Sequence, residues 1–331
     1  MSAPTPSRPR MVRQQIEDWP LSHPFVISRG TKESACVIVV ELTSGDCTGR
    51  GEAVPYARYG QTPQSTLDAL RRPIPHTREE LLRSFPPGAA RNAIDCALWD
   101  LEAKQRRISC HQIAGTPQPE AVETCFTISL DTPTRMAEQA AARPRLRLLK
   151  LKLGGNDHDD AARMRAVRQS RPDARLVADA NEAWNAEQLP HLFEAALEAG
   201  LELIEQPLPA GMDAALETVA RPVPVCADES VHTSADLDAL TTRYDAVNIK
   251  LDKAGGLTEA LAMKKRAREL GMRIMIGSMV ATSLAVAPAM LLAPEADWVD
   301  LDGPLLLARD RDNGLRFKDG WISPCAPDFW G

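Results

Sequence analysis

Between Leu146 and Lys250 the chain repeats one pattern: a short apolar run that stops on a charge, then a longer stretch of helical character. The runs close at Lys150-Leu151-Lys152, Val177-Ala178-Asp179, Leu203-Ile204-Glu205, Cys226-Ala227-Asp228 and Asn248-Ile249-Lys250. From Lys152 the steps are 27, 26, 23 and 22 residues. A solvated face scatters its charges, whereas here each charge falls where a buried strand should stop, at an interval that suits one strand plus one helix. The pattern predicts a β/α barrel whose charged residues gather at the C-terminal strand ends, where such barrels carry their sites.

Extending the pattern both ways places strand ends near Ser129, Lys152, Asp179, Glu205, Asp228, Lys250, Ser278 and Asp302, with seven helical segments between them. Among these are Asp157 to Ser170, Ala186 to Ala199 and Leu257 to Leu270, the last stopped by Gly271. The stretch 121–302 is shorter than the roughly 200 residues of a full eight-helix barrel, so a (β/α)7β TIM-like barrel is expected.

The first 120 residues read differently. Met11 to Trp19 and Ala35 to Leu42 have strand character, and Ser44-Gly45-Asp46 turns the chain into a third strand, Gly49 to Ala53. His23 to Lys32 has no periodic pattern and is expected to be a mobile loop. Thr77 and Glu80 have capping-box spacing ahead of a helix, and Ala90, Ala93, Ile94, Ala97, Leu98 and Leu101 mark one face of another, from about Gly88 to Lys104. Residues 1–120 are therefore expected to form an α+β capping domain with 304–331 packing back on it, and 121–303 the barrel.

Composition narrows the class. A net charge of −6 without a Lys/Arg run argues against nucleic acid as a partner. No segment approaches the ~18 uninterrupted apolar residues of a membrane span, and Met279 to Leu292 is better read as a buried helix. Seven cysteines, odd in number and mostly within apolar runs, suit a reduced, cytoplasmic protein. Residues Met1 to Arg10, rich in Pro and Ser, read as a floppy tail rather than a signal peptide. Homo-oligomerisation is neither required nor excluded.

The strand ends carry the chemistry. Residues i and i+2 of a strand face the same way, so Lys150 and Lys152 both point into the barrel mouth, as do Asp300 and Asp302. Asp179, Glu205 and Asp228, from three successive strands, can converge as three oxygen ligands. Carboxylates without His or Cys select a hard cation, one Mg2+ first and Mn2+ second. The plainer reading, in which these acids only pair with the lysines, needs several coincidences at one barrel mouth. Lys250 stands nearly opposite Lys152, so the two would flank whatever the metal holds. A carboxylate on the metal has its adjacent C–H acidified, and one lysine could remove that proton while the other returns one to the opposite face. A base lysine must be partly neutral at neutral pH, and crowding of Lys150, Lys152 and the metal is expected to lower its pKa.

These residues resemble a known family. Lys150-x-Lys152, Asp179-Ala-Asn181, Glu205-Gln-Pro207, Asp228-Glu-Ser230 and Lys250-Leu-Asp-Lys-Ala-Gly-Gly256 look like the enolase superfamily in its muconate-lactonizing subgroup, over nearly the whole chain. Within it the chain is most similar to dipeptide epimerases, those of L-Ala-D/L-Glu in murein peptide recycling. The resemblance implies Lys152 and Lys250 as acid and base, Lys150 as enediolate stabiliser, and Asp179, Glu205 and Asp228 as Mg2+ ligands. It further implies Asp300-x-Asp302 on the substrate ammonium, Arg29 on the glutamate side-chain carboxylate, and Thr127 in contact with the substrate. A dipeptide Ala-Glu, positive at one end and negative at two carboxylates, matches that order of charges. The alternatives from the same subgroup are an o-succinylbenzoate synthase-like lyase and an N-acylamino acid racemase, whose substrates offer no free ammonium to Asp300 and Asp302. From another class, a silent barrel serving as a binding scaffold is disfavoured by the intact lysine and acid set.

Overall fold

A computed structural model describes residues 9–155 and 157–331; the expected tail, residues 1–8, lies outside the described residues. The chain begins with an antiparallel sheet of β1 (Arg10–Ile27), β2 (Gly30–Ser44) and β3 (Cys47–Ala53). Helices α1 (Pro63–Leu70), α2 (Arg78–Ser84), α3 (Ala89–Arg106) and α4 (Cys110–Ala114) follow. Ile38, Val40 and Leu42 of β2 alternate onto one sheet face and pack against Ala93, Ile94, Ala97 and Leu101 of α3. The helix lies unusually close to β3: a Cβ on Gly49 or Gly51 would sit 2.1 Å from the carbonyl oxygen of Ala97 or Ala93. Thr77 caps α2 by accepting from the Glu80 amide, as its spacing predicts, although the Glu80 carboxylate reaches His76 N rather than completing the box.

The segment His23 to Lys32 is not the expected loop. β1 runs through to Ile27, turns at Ser28-Arg29 and pairs onward as Phe25↔Lys32 and Ile27↔Gly30, after a register shift between Pro20 and Phe25. Phe25 and Ile27 are buried, so the segment does carry a period-2 pattern, too short to stand out in the sequence.

After the short β4 (Val122–Glu123) come eight parallel strands in sequential order: β5 (Phe126–Ile128), β6 (Leu148–Lys152), β7 (Arg175–Asp179), β8 (Leu201–Glu205), β9 (Val225–Ala227), β10 (Ala246–Lys250), β11 (Arg273–Gly277) and β12 (Trp298–Asp300). Each ends within two residues of its predicted position. Cys125 N donates to Val299 O at 2.8 Å, joining the first strand to the eighth. The helices are less regular than expected. α5 (Pro133–Ala141), α6 (Asp160–Ser170), α7 (Leu189–Glu198), α8 (Leu251–Ala254), α9 (Leu257–Glu269) and α10 (Ser283–Val286) are α-helical. The connections after β8 and β9 hold only 3-10 turns, at Ala214–Glu217 and Ser234–Leu240. Pro288 keeps 279–292 from being one helix: α10 passes into a 3-10 turn, Ala287–Leu291. The tail forms β13 (Arg316–Lys318) and β14 (Trp321–Ser323), and β14 pairs with β4.

Alternation along the strands builds the barrel in layers. Leu148, Val177, Leu203, Cys226, Ala246, Met275 and Trp298, with Cys125 just before β5, form one buried apolar floor. Two residues further along most of these strands stand Lys150, Asp179, Glu205, Asp228, Asn248, Gly277 and Asp300. The floor excludes water from below; the next layer is polar and buried.

The antiparallel domain is tied to this mouth by buried carboxylates. Asp95 accepts from Thr258 N and Oγ1 at 2.9 and 2.6 Å. Asp252 accepts from Val54 N and Asn92 Nδ2 at 2.8 and 2.9 Å. Glu52 accepts from Thr282 N and Oγ1 at 2.9 and 2.5 Å, and Arg311 of the tail reaches both Glu52 and Glu17.

Candidate active site

Register fixes the level of each charged residue. Lys152 pairs with Asp179 and Asp179 with Glu205, while Lys250 pairs with Gly277 and Gly277 with Asp300. Each triple is level within itself, and Lys152 and Lys250 stand four strands apart across the mouth of the closed sheet. Gly277 gives Lys250 its space: a Cβ there would lie 2.5 Å from Asn248 Oδ1 and 3.0 Å from Lys250 Cε.

The charges form one connected network. Lys150 Nζ donates to Asp300 Oδ2 at 2.7 Å and lies 2.5 Å from Glu205 Oε2 and 3.4 Å from Asp179 Oδ2. Lys152 Nζ donates to Asp179 Oδ2 at 2.6 Å. Lys250 Nζ donates to Asp228 Oδ2 at 2.7 Å, and Lys253 Nζ takes the other oxygen of that carboxylate. Asn248 Nδ2 holds Glu205 Oε1 at 2.7 Å. Asp179, Glu205 and Asp228 are between 0 and 2% exposed.

Burial alone would raise all three carboxylates. At Asp179 and Asp228 the neighbouring lysines outweigh it and hold the group below the usual carboxylate value, while Glu205, which also faces Asp179, stays above it. For Lys150 and Lys250, burial disfavours the ammonium, yet the surrounding carboxylates win and hold both above the usual lysine value. Around Lys150 the acids stand closer than the other lysines do.

The donor set fits a hard cation. Three buried carboxylates stand on adjacent strand ends and offer oxygen donors alone. Among the described residues the three do not form a ready coordination cluster, because each turns an oxygen to a lysine.

Above the network lies a small cleft that opens to solvent. Lys150, Lys152, Lys250, Asp300, Asp302, Thr127 and Arg29 all line it. Asp302 accepts from Thr127 N at 2.7 Å; burial and the adjacent Asp300 push it up to about 7. Asp300 Oδ1 is buried and without a partner. Arg29, at the turn of the β1–β2 hairpin, donates to Glu229 Oε1 at 2.7 Å, Asn181 O at 2.9 Å and Glu182 Oε2 at 3.2 Å. Arg58 grips the same Glu182 through two bonds of 2.7 and 2.6 Å.

Several lining residues escape the sequence reading. Phe25, Ile27 and Lys32 were hidden by the missed hairpin. Glu229 should face away from Asp228 if β9 continued, but the strand stops at Ala227 and the loop turns both inward. Glu182 sits at φ 67°, an orientation no periodicity forecasts.

Two family models match the chain: the mandelate racemase/muconate lactonizing enzyme N-terminal domain over residues 10–115, and an enolase C-terminal domain-like model over 134–327. The L-Ala-D/L-Glu epimerase of Escherichia coli (strain K12) is 46% identical over 318 residues, covering 94% of this chain and 98% of that protein. The N-acetyl-D-glutamate racemase of a Pseudoalteromonas species is 43% identical over 302 residues, covering 89% and 95%. A crystal structure of an enolase family member from Agrobacterium tumefaciens with homology to dipeptide epimerases, holding sodium and L-Ala-L-Glu with an ordered loop, is 47% identical with a TM-score of 0.93, covering 97% of this chain and 99% of that one. With both of its domains matched in order and the lysines and acids of the barrel mouth in place, the chain belongs to the mandelate racemase/muconate lactonizing enzyme family of the enolase superfamily.

Proposed function

We propose that this chain is a Mg2+-dependent dipeptide epimerase that moves a proton at the α-carbon of the C-terminal residue of L-Ala-D/L-Glu. The observation that carries the reading is the pair Lys152 and Lys250, facing each other across a mouth whose rim holds Asp179, Glu205 and Asp228. The relatives at 46 and 43% identity are named for glutamate substrates carrying a substituted nitrogen, which supports glutamate at the reacting position.

Asp179, Glu205 and Asp228 would hold the cation, which would supply positive charge to stabilise the substrate carboxylate as its neighbouring carbon loses a proton. One of Lys152 and Lys250, in neutral form, accepts the α-proton; the other, as ammonium, delivers one from the opposite side, so the proton count is unchanged and the configuration inverts. Lys150, locked between Asp300 and Glu205, stays charged and stabilises the enediolate. Asp300 and Asp302, with Thr127, take the substrate ammonium, for which the unpartnered Asp300 Oδ1 is a ready acceptor. Arg29 closes the opposite end of the cleft. The setting proposed with this reaction is murein peptide recycling in the cytoplasm.

Separate Lys152→Ala and Lys250→Ala variants test the assignment in D2O with Mg2+. Each should retain α-proton exchange with only one of L-Ala-L-Glu and L-Ala-D-Glu, the other diastereomer for each variant. Full epimerisation by both would remove the lysines from these roles. A second reading, racemisation of N-acylated glutamate, is favoured by the Pseudoalteromonas relative. A preference for N-acetyl-L-Glu over L-Ala-L-Glu would select it.

A further inference from the structure

Arg29 is the cation one would expect on the side-chain carboxylate of the substrate, yet its guanidinium already has partners. It gives hydrogen bonds to Glu229, Asn181 O, Glu182 and, at 3.4 Å, the hydroxyl of Tyr56. Both acids are themselves buried parts of the barrel loops. Arg29 therefore reads as a strut between hairpin and barrel.

A second cation on the same hairpin is different. Lys32 is the cross-strand partner of Phe25, so both side chains leave the hairpin on the face that lines the cleft. It is half-buried. Among the described residues no carboxylate lies within ion-pair distance of its ammonium, and its recorded contact is the ring of Tyr56, 4.7 Å from the centroid. On the barrel side, Lys152 Nζ lies 6.0 Å from the centroid of the Phe25 ring. Lys32 thus stands in the cleft wall on the side of Lys152. A partly desolvated cation without a counter-ion is costly, and an anionic ligand would offset the cost. Burial, with Arg29 and Lys152 nearby, pulls its pKa below the usual lysine value, in keeping with an unmet charge.

We propose that Lys32, rather than Arg29, is the specificity residue that receives the side-chain carboxylate of an acidic residue at the substrate's C-terminal position. The proposal rests on the dipeptide reading and sharpens it: acidic second residues are selected by a free cation on the hairpin, while Arg29 positions that hairpin.

The test is calorimetric binding of L-Ala-L-Glu and its neutral isostere L-Ala-L-Gln to the Mg2+-loaded protein, for wild type, Lys32→Gln, Lys32→Arg and Arg29→Gln. Lys32→Gln should reduce the preference for L-Ala-L-Glu over L-Ala-L-Gln by roughly 10- to 100-fold. Lys32→Arg should keep most of the preference, and Arg29→Gln should weaken both dipeptides together. Equal losses on both dipeptides in Lys32→Gln, or a selective loss in Arg29→Gln alone, overturns the assignment. Should Lys32→Gln fail to fold, loss of the preference in Lys32→Arg overturns it equally. Wild-type binding of L-Ala-L-Glu without turnover defeats the epimerase reading alone; binding of neither dipeptide defeats the inference with it.

Discussion

Gly277→Ala probes how the barrel makes room for its chemistry. Gly277 lies beside Lys250 in the β10–β11 register, and an added methyl group would stand 2.5 Å from Asn248 Oδ1, 2.9 Å from Asn248 Nδ2 and 3.0 Å from Lys250 Cε. Carbon atoms pack at about 3.5–4.0 Å, so Lys250 must retreat by roughly 0.5–1 Å. Asn248 is held through Nδ2 to Glu205, and it is fully buried, so the strain cannot be shed there without disturbing an acid of the site. Overpacking of this kind costs about 1–3 kcal/mol of stability, and a displacement near 1 Å at a reacting group can cost about 100-fold in rate. Denaturant unfolding reads the first and steady-state epimerisation the second. The rate loss should fall in kcat, with exchange of the diastereomer served by Lys250 lost before the other. A Gly277→Ala enzyme with wild-type kcat and stability would refute the view that this glycine positions Lys250.

Three further outcomes are expected. Glu182→Gln, which removes the carboxylate shared by Arg29 and Arg58, should raise KM roughly threefold to tenfold while kcat holds or rises, because both cap contacts loosen; steady-state kinetics on L-Ala-L-Glu decides. Burial pushes Asp95 up to about 6 from an ordinary value of 3.8, against the pull of its Thr258 hydrogen bonds. The folded chain therefore keeps a proton that the unfolded chain has released, and the contribution of Asp95 to stability is greatest below about pH 4 and lost as pH rises to 6. Urea unfolding should accordingly show Asp95→Asn gaining on wild type between pH 4 and pH 7. Added Mg2+ should raise Tm by an amount equivalent to about 2.7 kcal/mol at a hundredfold excess over Kd, and EDTA should reverse it.

The parts of this molecule that the sequence displayed are those set by alternation and repeat. Lys152, Asp179, Glu205 and Lys250 mark strand ends to the residue, because each closes a short apolar run where the buried strand opens into the mouth. What was hidden depends on geometry between distant segments. The β1–β2 hairpin looked like a loop because Pro20 and Pro24 fall where its register shifts. The connections after β8 and β9 are about as long as the one that holds α5, so their length did not show that they form only 3-10 turns. Glu182, Glu229 and Lys32 became visible only once the cap lay over the barrel mouth, and the direction of the lysine pKa shifts followed from acid positions that spacing alone did not reveal.

The central claim is that Lys152 and Lys250 exchange a proton across the α-carbon of an acidic dipeptide. Proton NMR of L-Ala-L-Glu with the protein and Mg2+ in D2O, beside an EDTA-treated control, tests it most directly. The account predicts loss of the glutamate α-proton signal together with appearance of the L,D diastereomer, both abolished by EDTA. Retention of the α-proton signal by the metal-loaded protein would contradict it.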